Sequence, residues 1–110
     1  MSQVWPTRLS FYRRKKHLVI DFDDGERFTI PFELLRLESP SAEVQGHGPG
    51  QKKWLKDKAK VVVTQAERVG RYALRLGFDD GHASGIYSWD YLRELGENGK
   101  ALLKAHHSRG

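Results

Sequence analysis

The chain has 110 residues, of which 38% are hydrophobic and 30% charged, and its net charge is +5 at neutral pH. This length suits one domain that folds without disulfide bonds, and the composition is too apolar for a disordered chain and too polar for a membrane protein. The absence of cysteine excludes thiolate catalysis and cysteine-based zinc or iron–sulfur ligation by this chain. No stretch approaches the ~20 apolar residues that span a bilayer, and the first residues lack a signal-peptide pattern, so we expect a soluble protein of the reducing cytoplasm.

The first half predicts three strands and a short helix. Residues 7–12 alternate weakly, and residues 16–22 alternate strongly between apolar and polar positions, as a half-buried strand requires. Asp23-Asp24-Gly25 predicts a tight turn into a strand at 27–32, which Pro31 marks as ending or lying at an edge. A short helix is expected over residues 32–37.

The second half predicts a similar series. Residues 39–50 are loop by composition, and the amphiphilic residues 54–60 leave their structure open. Strands are expected at 61–64, which is β-branched, and at 72–78, with Ile86 and Tyr87 pairing back after a turn. Ser88 is a good N-cap for a helix that starts at Trp89 and stops near Gly96. A last short helix at 100–105 and a polar tail follow the domain core, which we place at about 8–95, with the tail region at 97–110.

One motif occurs twice. Phe22-Asp23-Asp24-Gly25 recurs as Phe78-Asp79-Asp80-Gly81, and each copy is followed by an apolar pair and a helical piece of similar composition. We interpret this as a strand–turn–strand–helix unit used twice. The predicted fold class is therefore α+β, with a mostly antiparallel sheet built from the two units and helices packed on the sheet, and the two units could form one sheet.

Four residues could hold a divalent cation. His47, His82, Glu43 and Asp80, with Asp79 beside them, would offer mixed nitrogen and oxygen ligands of the kind that suits iron, manganese or zinc. No HxxxH or HExxH spacing supports such a site. We favour the alternative that His82 is an exposed turn residue and that the carboxylates serve capping and hydrogen bonding.

Catalytic patterns are weak in this chain. Ser84, Ser88, His82 and Asp90 lie close in sequence, but no GxSxG motif surrounds a serine. The glycine-rich stretch at 46–50 lacks the Lys-Ser/Thr ending of a phosphate-binding loop. We expect no enzymatic activity, and the pair His106-His107 is interpreted as fortuitous. Long loops are often functional, so a partner-binding role is open for a set in the 39–50 loop: Ser39, Pro40, Glu43, Gln45, Gly46, His47 and Gly48.

Basic and aromatic residues suggest a further alternative. The run Arg13, Arg14, Lys15 and Lys16, with the lysine-rich residues 52–60, could bind nucleic acid, although a solvated hairpin connection is the favoured interpretation and no continuous basic stripe is evident. Trp89 is expected in the core, whereas Trp54 fits a surface anchor nearly as well.

Three segments together resemble a known family. They are Phe32-Glu33-Leu34-Leu35-Arg36, the stretch from Ser39 to Gly48, and Tyr72-Ala73-Leu74 through Phe78-Asp79-Asp80-Gly81-His82 to Ile86-Tyr87-Ser88-Trp89-Asp90-Tyr91-Leu92. This pattern resembles the gamma-butyrobetaine hydroxylase-like N-terminal domain family in its small stand-alone bacterial form, from about Arg8 to Leu95.

The resemblance implies an accessory domain. In the hydroxylases such a domain precedes a 2-oxoglutarate oxygenase domain and carries a structural zinc held by three cysteines and one histidine. The histidine corresponds to His82, and the cysteines fall near residues 38–43, where this chain has Glu-Ser-Pro-Ser-Ala-Glu.

The same domain type also occurs joined to P-loop iron–sulfur carrier ATPases of the Mrp class. Our leading hypothesis is therefore a non-catalytic accessory module that binds such a carrier or another metalloenzyme. A divalent-metal-binding protein for iron or zinc and a small basic nucleic-acid-binding protein are the alternatives.

Overall fold

The α+β class predicted from the sequence is confirmed by a computed structural model, which describes residues 5–45, 52 and 54–109 apart from the side chains of residues 42, 43 and 109. In chain order the elements are β1 (Pro6–Tyr12), β2 (His17–Phe22), β3 (Arg27–Pro31), α1 (Phe32–Leu37), α2 (Ala42–Gln45), β4 (Val63–Val69), β5 (Ala73–Phe78), β6 (Gly85–Ser88) and α3 (Trp89–Arg109). The strands form two antiparallel sheets, β1-β2-β3 and β4-β5-β6, and not the one sheet that the two units could have formed. No helix in the described part of the chain is both long and apolar enough to cross a bilayer.

The two units of the repeat adopt the same local structure. Each is a three-stranded meander followed by a helix, and each DDG turn places its glycine at positive φ, 89° at Gly25 and 90° at Gly81, where a side chain would be strained. The backbone hydrogen bonds of the two turns correspond one to one. The amide of Phe22 donates to the carbonyl of Glu26 at 2.8 Å, as the amide of Phe78 does to His82 at 2.9 Å. The other matched pairs, each written from amide to carbonyl, are Gly25 to Phe22 and Gly81 to Phe78 at 3.1 Å, and Asp23 to Trp5 and Asp79 to Val62 at 2.9 Å. The predicted repeat is therefore confirmed, with β1 and β4 as additional first strands.

The core is shared by both units. Alternate residues of β2 and β5 point inward, and the two helices begin with buried aromatic residues, Phe32 in α1 and Trp89 in α3. One continuous apolar cluster contains the inward residues of both sheets: Leu18, Ile20, Phe22, Ile30, Leu74, Leu76, Phe78 and Tyr87. Neither sheet has a core of its own, so each unit buries its apolar face against the other.

Two ion pairs connect the units reciprocally. Asp24 in the first turn contacts Arg93 of α3 at 2.9 Å. Asp80 in the second turn contacts Arg36 of α1 at 2.7 Å. Each turn thus holds the helix of the other unit.

The predicted boundaries in the middle of the chain need correction. β4 begins at Val63 and extends to Val69, whereas we expected a strand at 61–64. Among the described strands it pairs with β5 alone, and most of its residues are exposed, so the sequence has no apolar alternation to indicate it. Part of the predicted loop forms the short helix α2, and residues 54–60 have no regular structure where they are described.

α3 is one helix, not a helix that stops near Gly96 and a second short one. A Cβ atom at Gly96 would lie 2.6 Å from a ring carbon of Phe28, so the glycine permits close packing on β3 rather than ending the helix. The predicted N-terminus is correct, because Ser88 Oγ accepts a hydrogen bond from the amide of Tyr91 at 3.1 Å. The supposed polar tail is thus helical as far as Arg109.

Candidate functional site

His82 lies at the centre of the most developed polar cluster. It is buried, not an exposed turn residue as we favoured, because the β5–β6 turn folds back over the segment that follows α1. Its Nε2 lies 2.9 Å from Ser39 Oγ and 3.3 Å from Ser41 Oγ. Both serines are buried as well, so Nε2 of the imidazole and the two hydroxyl groups are hydrogen-bond partners in the interior. We call residues 38–41 the clasped segment.

Main-chain carbonyls of this region are bonded by side chains from other elements. Tyr87 donates its hydroxyl to the carbonyl of Leu35, and Tyr91 donates its hydroxyl to the carbonyl of Glu38. Burial raises the pKa of both tyrosines well above the ordinary value, so these hydroxyls keep their protons. Gln45 donates its amide to the carbonyl of Ser39 at 2.9 Å. The backbone from the end of α1 to α2 is fixed by these bonds.

Gly85 is a further requirement of this packing. A Cβ atom at this position would lie 2.5 Å from Ser39 Oγ and 3.1 Å from the Tyr87 ring. The start of β6 can therefore approach the clasped segment only as glycine.

Glu38 connects the clasped segment to the chain beyond the loop and to the end of α3. Its carboxylate accepts hydrogen bonds from Lys52 Nζ at 2.7 and 2.8 Å and lies 2.5 Å from His106 Nε2. The Trp54 ring packs on the His106 ring with centroids 4.6 Å apart, and Lys52 lies over the same indole at 4.6 Å. Our interpretation of His106 as fortuitous is therefore wrong, because the unbroken helix brings a buried imidazole against Glu38.

Asp80 has a structural role in this arrangement. Its carboxylate contacts Arg36 at 2.7 Å and Lys58 at 2.8 Å and also accepts the amide hydrogen of His82. Partial burial opposes its ionisation, but the bonds from Lys58, Arg36 and the His82 amide outweigh that effect and hold the pKa of Asp80 well below 3.8. Asp79 accepts a hydrogen bond from the amide of Val62, as Asp23 does from Trp5.

The predicted metal-ligand set is only partly within the described residues. His82 and Asp80 are neighbours, but their side chains turn to different partners, serines for one and cations for the other. The Glu43 side chain and His47 lie outside the described residues, as do Gly46 and Gly48 of the predicted partner loop. In the described part of the chain no group of three His, Asp or Glu side chains is arranged to hold a metal ion.

The residues that are present do not fit the structural zinc that the resemblance implies. The positions around His82 carry the serine hydroxyls of Ser39 and Ser41, which are within hydrogen-bond distance of one another at 3.2 Å. Structural zinc needs four strong ligands, typically thiolates and imidazoles. Hydrogen bonds between a histidine and two serines therefore fix this region here.

The basic run forms the turn between β1 and β2. Arg13 donates to the carbonyl of Thr64 at 3.4 Å and so reaches the second sheet, and Lys15 lies 6.0 Å from the centre of the Tyr12 ring. Lys16 adopts a positive φ of 58°. These contacts agree with a solvated hairpin connection that also touches the other unit.

Fold and site together define a small α+β domain with an internal repeat and a buried polar cluster that fixes one loop. The chain belongs to the gamma-butyrobetaine hydroxylase-like N-terminal family, whose sequence pattern matches residues 9–93. This confirms the resemblance seen in the sequence. No curated protein matches the chain.

Solved structures show the same fold. A protein with an NMR solution structure is 41% identical, with a TM-score of 0.84, over 97% of this chain and 80% of the other. Another NMR structure is 36% identical, with a TM-score of 0.82, over 98% of this chain and 85% of the other. A crystal structure of a DUF971-family protein of unknown function from Acidithiobacillus ferrooxidans is 33% identical, with a TM-score of 0.69, over 83% of this chain and 91% of the other.

Sequence reasoning missed the importance of Glu38, Lys52 and His106. These residues are separated by up to 68 positions, and no local motif joins them. One signal was available: the spacing from Trp89 through Leu92 and Leu95 continues to Leu102 and Leu103, which pack on the core and extend the helix to His106.

Proposed function

We propose that this chain is a non-catalytic accessory module that binds a partner protein through the loop beginning at the clasped segment. The main support for this proposal is a 2.7 Å ion pair between Glu38 and Lys52, which joins the two ends of this loop. The structure around the first end comes from α1, β6 and α3, which supports a loop held for recognition rather than one that merely connects two units.

The buried polar groups also support a non-catalytic role. The hydroxyls of Tyr87 and Tyr91 are bonded to carbonyls, the Asp80 carboxylate is neutralised by two cations, and His82 is bonded to serines. A general acid or base needs a proton that can be exchanged with a bound substrate. These groups instead hold the backbone.

The partner class that we propose is an iron or iron–sulfur metalloprotein, with an Mrp-class carrier ATPase as the first candidate. The reason is the shared domain type implied by the family resemblance, which is an analogy at the level of the fold. A cytoplasmic location is part of the proposal, and the reducing compartment that it implies is compatible with a chain that contains no cysteine.

Binding to a purified Mrp-class carrier, measured by biolayer interferometry, tests the proposal. We expect saturable binding that weakens at least tenfold when residues 46–50 are exchanged for a glycine–serine stretch of equal length. His82→Ala should also weaken it, because the first end of the loop loses its bonds to Ser39 and Ser41.

Arg75→Ala is the matched control. Arg75 is exposed on the outer face of the second sheet, and its guanidinium pairs with Glu67 rather than with the clasped segment, so this variant should bind like the wild type. If the wild type shows no binding, or if the loop exchange leaves affinity unchanged, the proposed function is rejected.

A further inference from the structure

The outer face of the β1-β2-β3 sheet collects cations that are scattered in the sequence. The strand register places Arg8 and Arg27 on either side of Asp21, in one row across the sheet. Tyr12 pairs with His17 at the other end of this face, and Lys15 lies over the Tyr12 ring. These residues line a shallow hollow of about 350 Å³.

The charge of this face is predominantly positive. Arg8, Lys15 and Arg27 contribute three cations, and Asp21 is the one acidic residue among those that line the hollow. Arg27 Nε lies 2.5 Å from the Asp21 carboxylate, so the acid is already paired. The adjacent turn adds Arg13, Arg14 and Lys16.

The internal repeat shows that the fold does not require these cations. Trp5 and Val62 are equivalent by their bonds to Asp23 and Asp79, which aligns Arg8 with Gln65 and Tyr12 with Val69. In the second sheet the described residues that line the hollow on the corresponding face include one acidic and one basic residue, Glu67 and Arg75, whose charges cancel. The same three-stranded meander thus forms without an excess of cations in this hollow.

We propose that the outer face of β1-β2-β3 binds single-stranded nucleic acid. Three cations in and around one hollow suit a backbone of phosphates, and Tyr12, which is 46% exposed, offers a ring on which a base can stack. The hydroxyls of Ser10 and Thr29 lie between the two ends of the hollow and can bond sugar or base.

The chemistry favours nucleic acid over other anionic partners. Binding to a membrane surface is strengthened by apolar side chains beside the cations, whereas the centre of this face is formed by Ser10, Val19 and Thr29. An acidic polypeptide would use the cations but would gain little from Tyr12. The face belongs to strands outside the clasped segment, so this inference does not depend on the proposed function.

Fluorescence anisotropy with labelled 12-nucleotide poly-U and poly-dT, using the full chain, tests the proposal. We expect binding whose logarithm of affinity falls with the logarithm of salt concentration with a slope of about −2, since each of three phosphate contacts contributes about 0.7 on a single strand. Arg8→Ala should reduce the slope by about 0.7. Tyr12→Ala should weaken binding about fivefold or more without changing the slope, because it removes stacking.

Two further variants separate a binding effect from a folding effect. Asp21→Asn should raise affinity, because it removes the one negative charge lining the hollow, and a folding defect cannot produce that gain. Arg75→Ala, at the corresponding face of the second sheet, should leave affinity unchanged.

The proposal is overturned if affinity is insensitive to Tyr12→Ala and Asp21→Asn. It is also overturned if polyaspartate or vesicles of anionic phosphatidylglycerol compete as well as the oligonucleotides do at equal charge. Absence of binding to both oligonucleotides at 20 mM salt has the same consequence.

Discussion

At the scale of single residues, ion pairs in this protein connect parts of the chain that are distant in sequence. Asp80 and Arg36 are 44 positions apart, and both are largely buried, with side chains 22% and 11% exposed. Asp24 and Arg93 form the corresponding ion pair, but their side chains are more exposed, at 36% and 19%. The electrostatic attraction within an ion pair is screened less when the pair is less accessible to water. The Asp80–Arg36 pair should therefore contribute more to stability than the Asp24–Arg93 pair.

Asp80→Asn tests this ranking through the pH dependence of stability. Because the pKa of Asp80 is lowered on folding, its stabilising contribution is complete above the unfolded value of about 3.8 and is lost as pH falls below it. At pH 7 we expect a loss of about 1–3 kcal/mol in the free energy of unfolding, measured by urea denaturation. The difference from wild type should shrink below pH 3.8.

Asp24→Asn is the matched control, with a smaller loss expected at pH 7. An equal or larger loss for Asp24→Asn, or a difference for Asp80→Asn that persists unchanged at pH 2, would contradict the assignment.

At the scale of elements, the length of α3 depends on glycines that would ordinarily end a helix. Gly96 faces Phe28 of β3, and Gly99 faces Leu34 of α1. Small residues at these two positions let the helix lie close to the first unit, and the helix then continues to His106. Glycine within a helix lowers its stability by about 1 kcal/mol relative to alanine, and the close packing of α3 on the first unit offsets this loss.

Gly96→Ala is therefore expected to destabilise the protein although alanine favours helix. The added Cβ would lie 2.6–2.9 Å from three atoms of Phe28, including its Cβ, so the ring must move, at a net cost of about 1–3 kcal/mol. Gly99→Ala meets only the end of the Leu34 side chain at 3.2 Å and should be close to neutral or stabilising. Thermal unfolding of the two variants decides the point, and equal melting temperatures would refute it.

At the scale of the whole molecule, two similar units depend on each other. The apolar cluster runs through both sheets, and each DDG turn reaches the helix of the other unit. A three-stranded sheet that carries one helix would expose most of its inward face if it stood alone.

Fragments 1–50 and 51–110 should accordingly be unfolded when separate and should fold when mixed. Far-ultraviolet circular dichroism and gel filtration of the fragments and of their equimolar mixture measure this. A stable fold in either fragment alone would show that the units are independent domains.

The sequence by itself determined most of the strands, the start of α3 and the repeat, but not the extent of β4, the helix α2 or the length of α3. Period-two alternation in residues 16–22 and 72–78, the twin DDG turns and the N-cap at Ser88 are local signals, because a strand, a turn or a helix start depends mainly on neighbouring residues. The same local patterns carried the family resemblance that the match over residues 9–93 confirms. The burial of Trp89 followed from its place at the start of an apolar helix face.

The tertiary structure decided which residues meet. It divided the strands into two sheets. The bonds of His82 to Ser39 and Ser41 and the pairing of Glu38 with His106 join residues 41 to 68 positions apart. The cationic face likewise exists only once the register places Arg8 and Arg27 beside Asp21. Contacts of this kind depend on how elements pack against one another, and a single sequence records the propensity of each element but not the geometry of their packing.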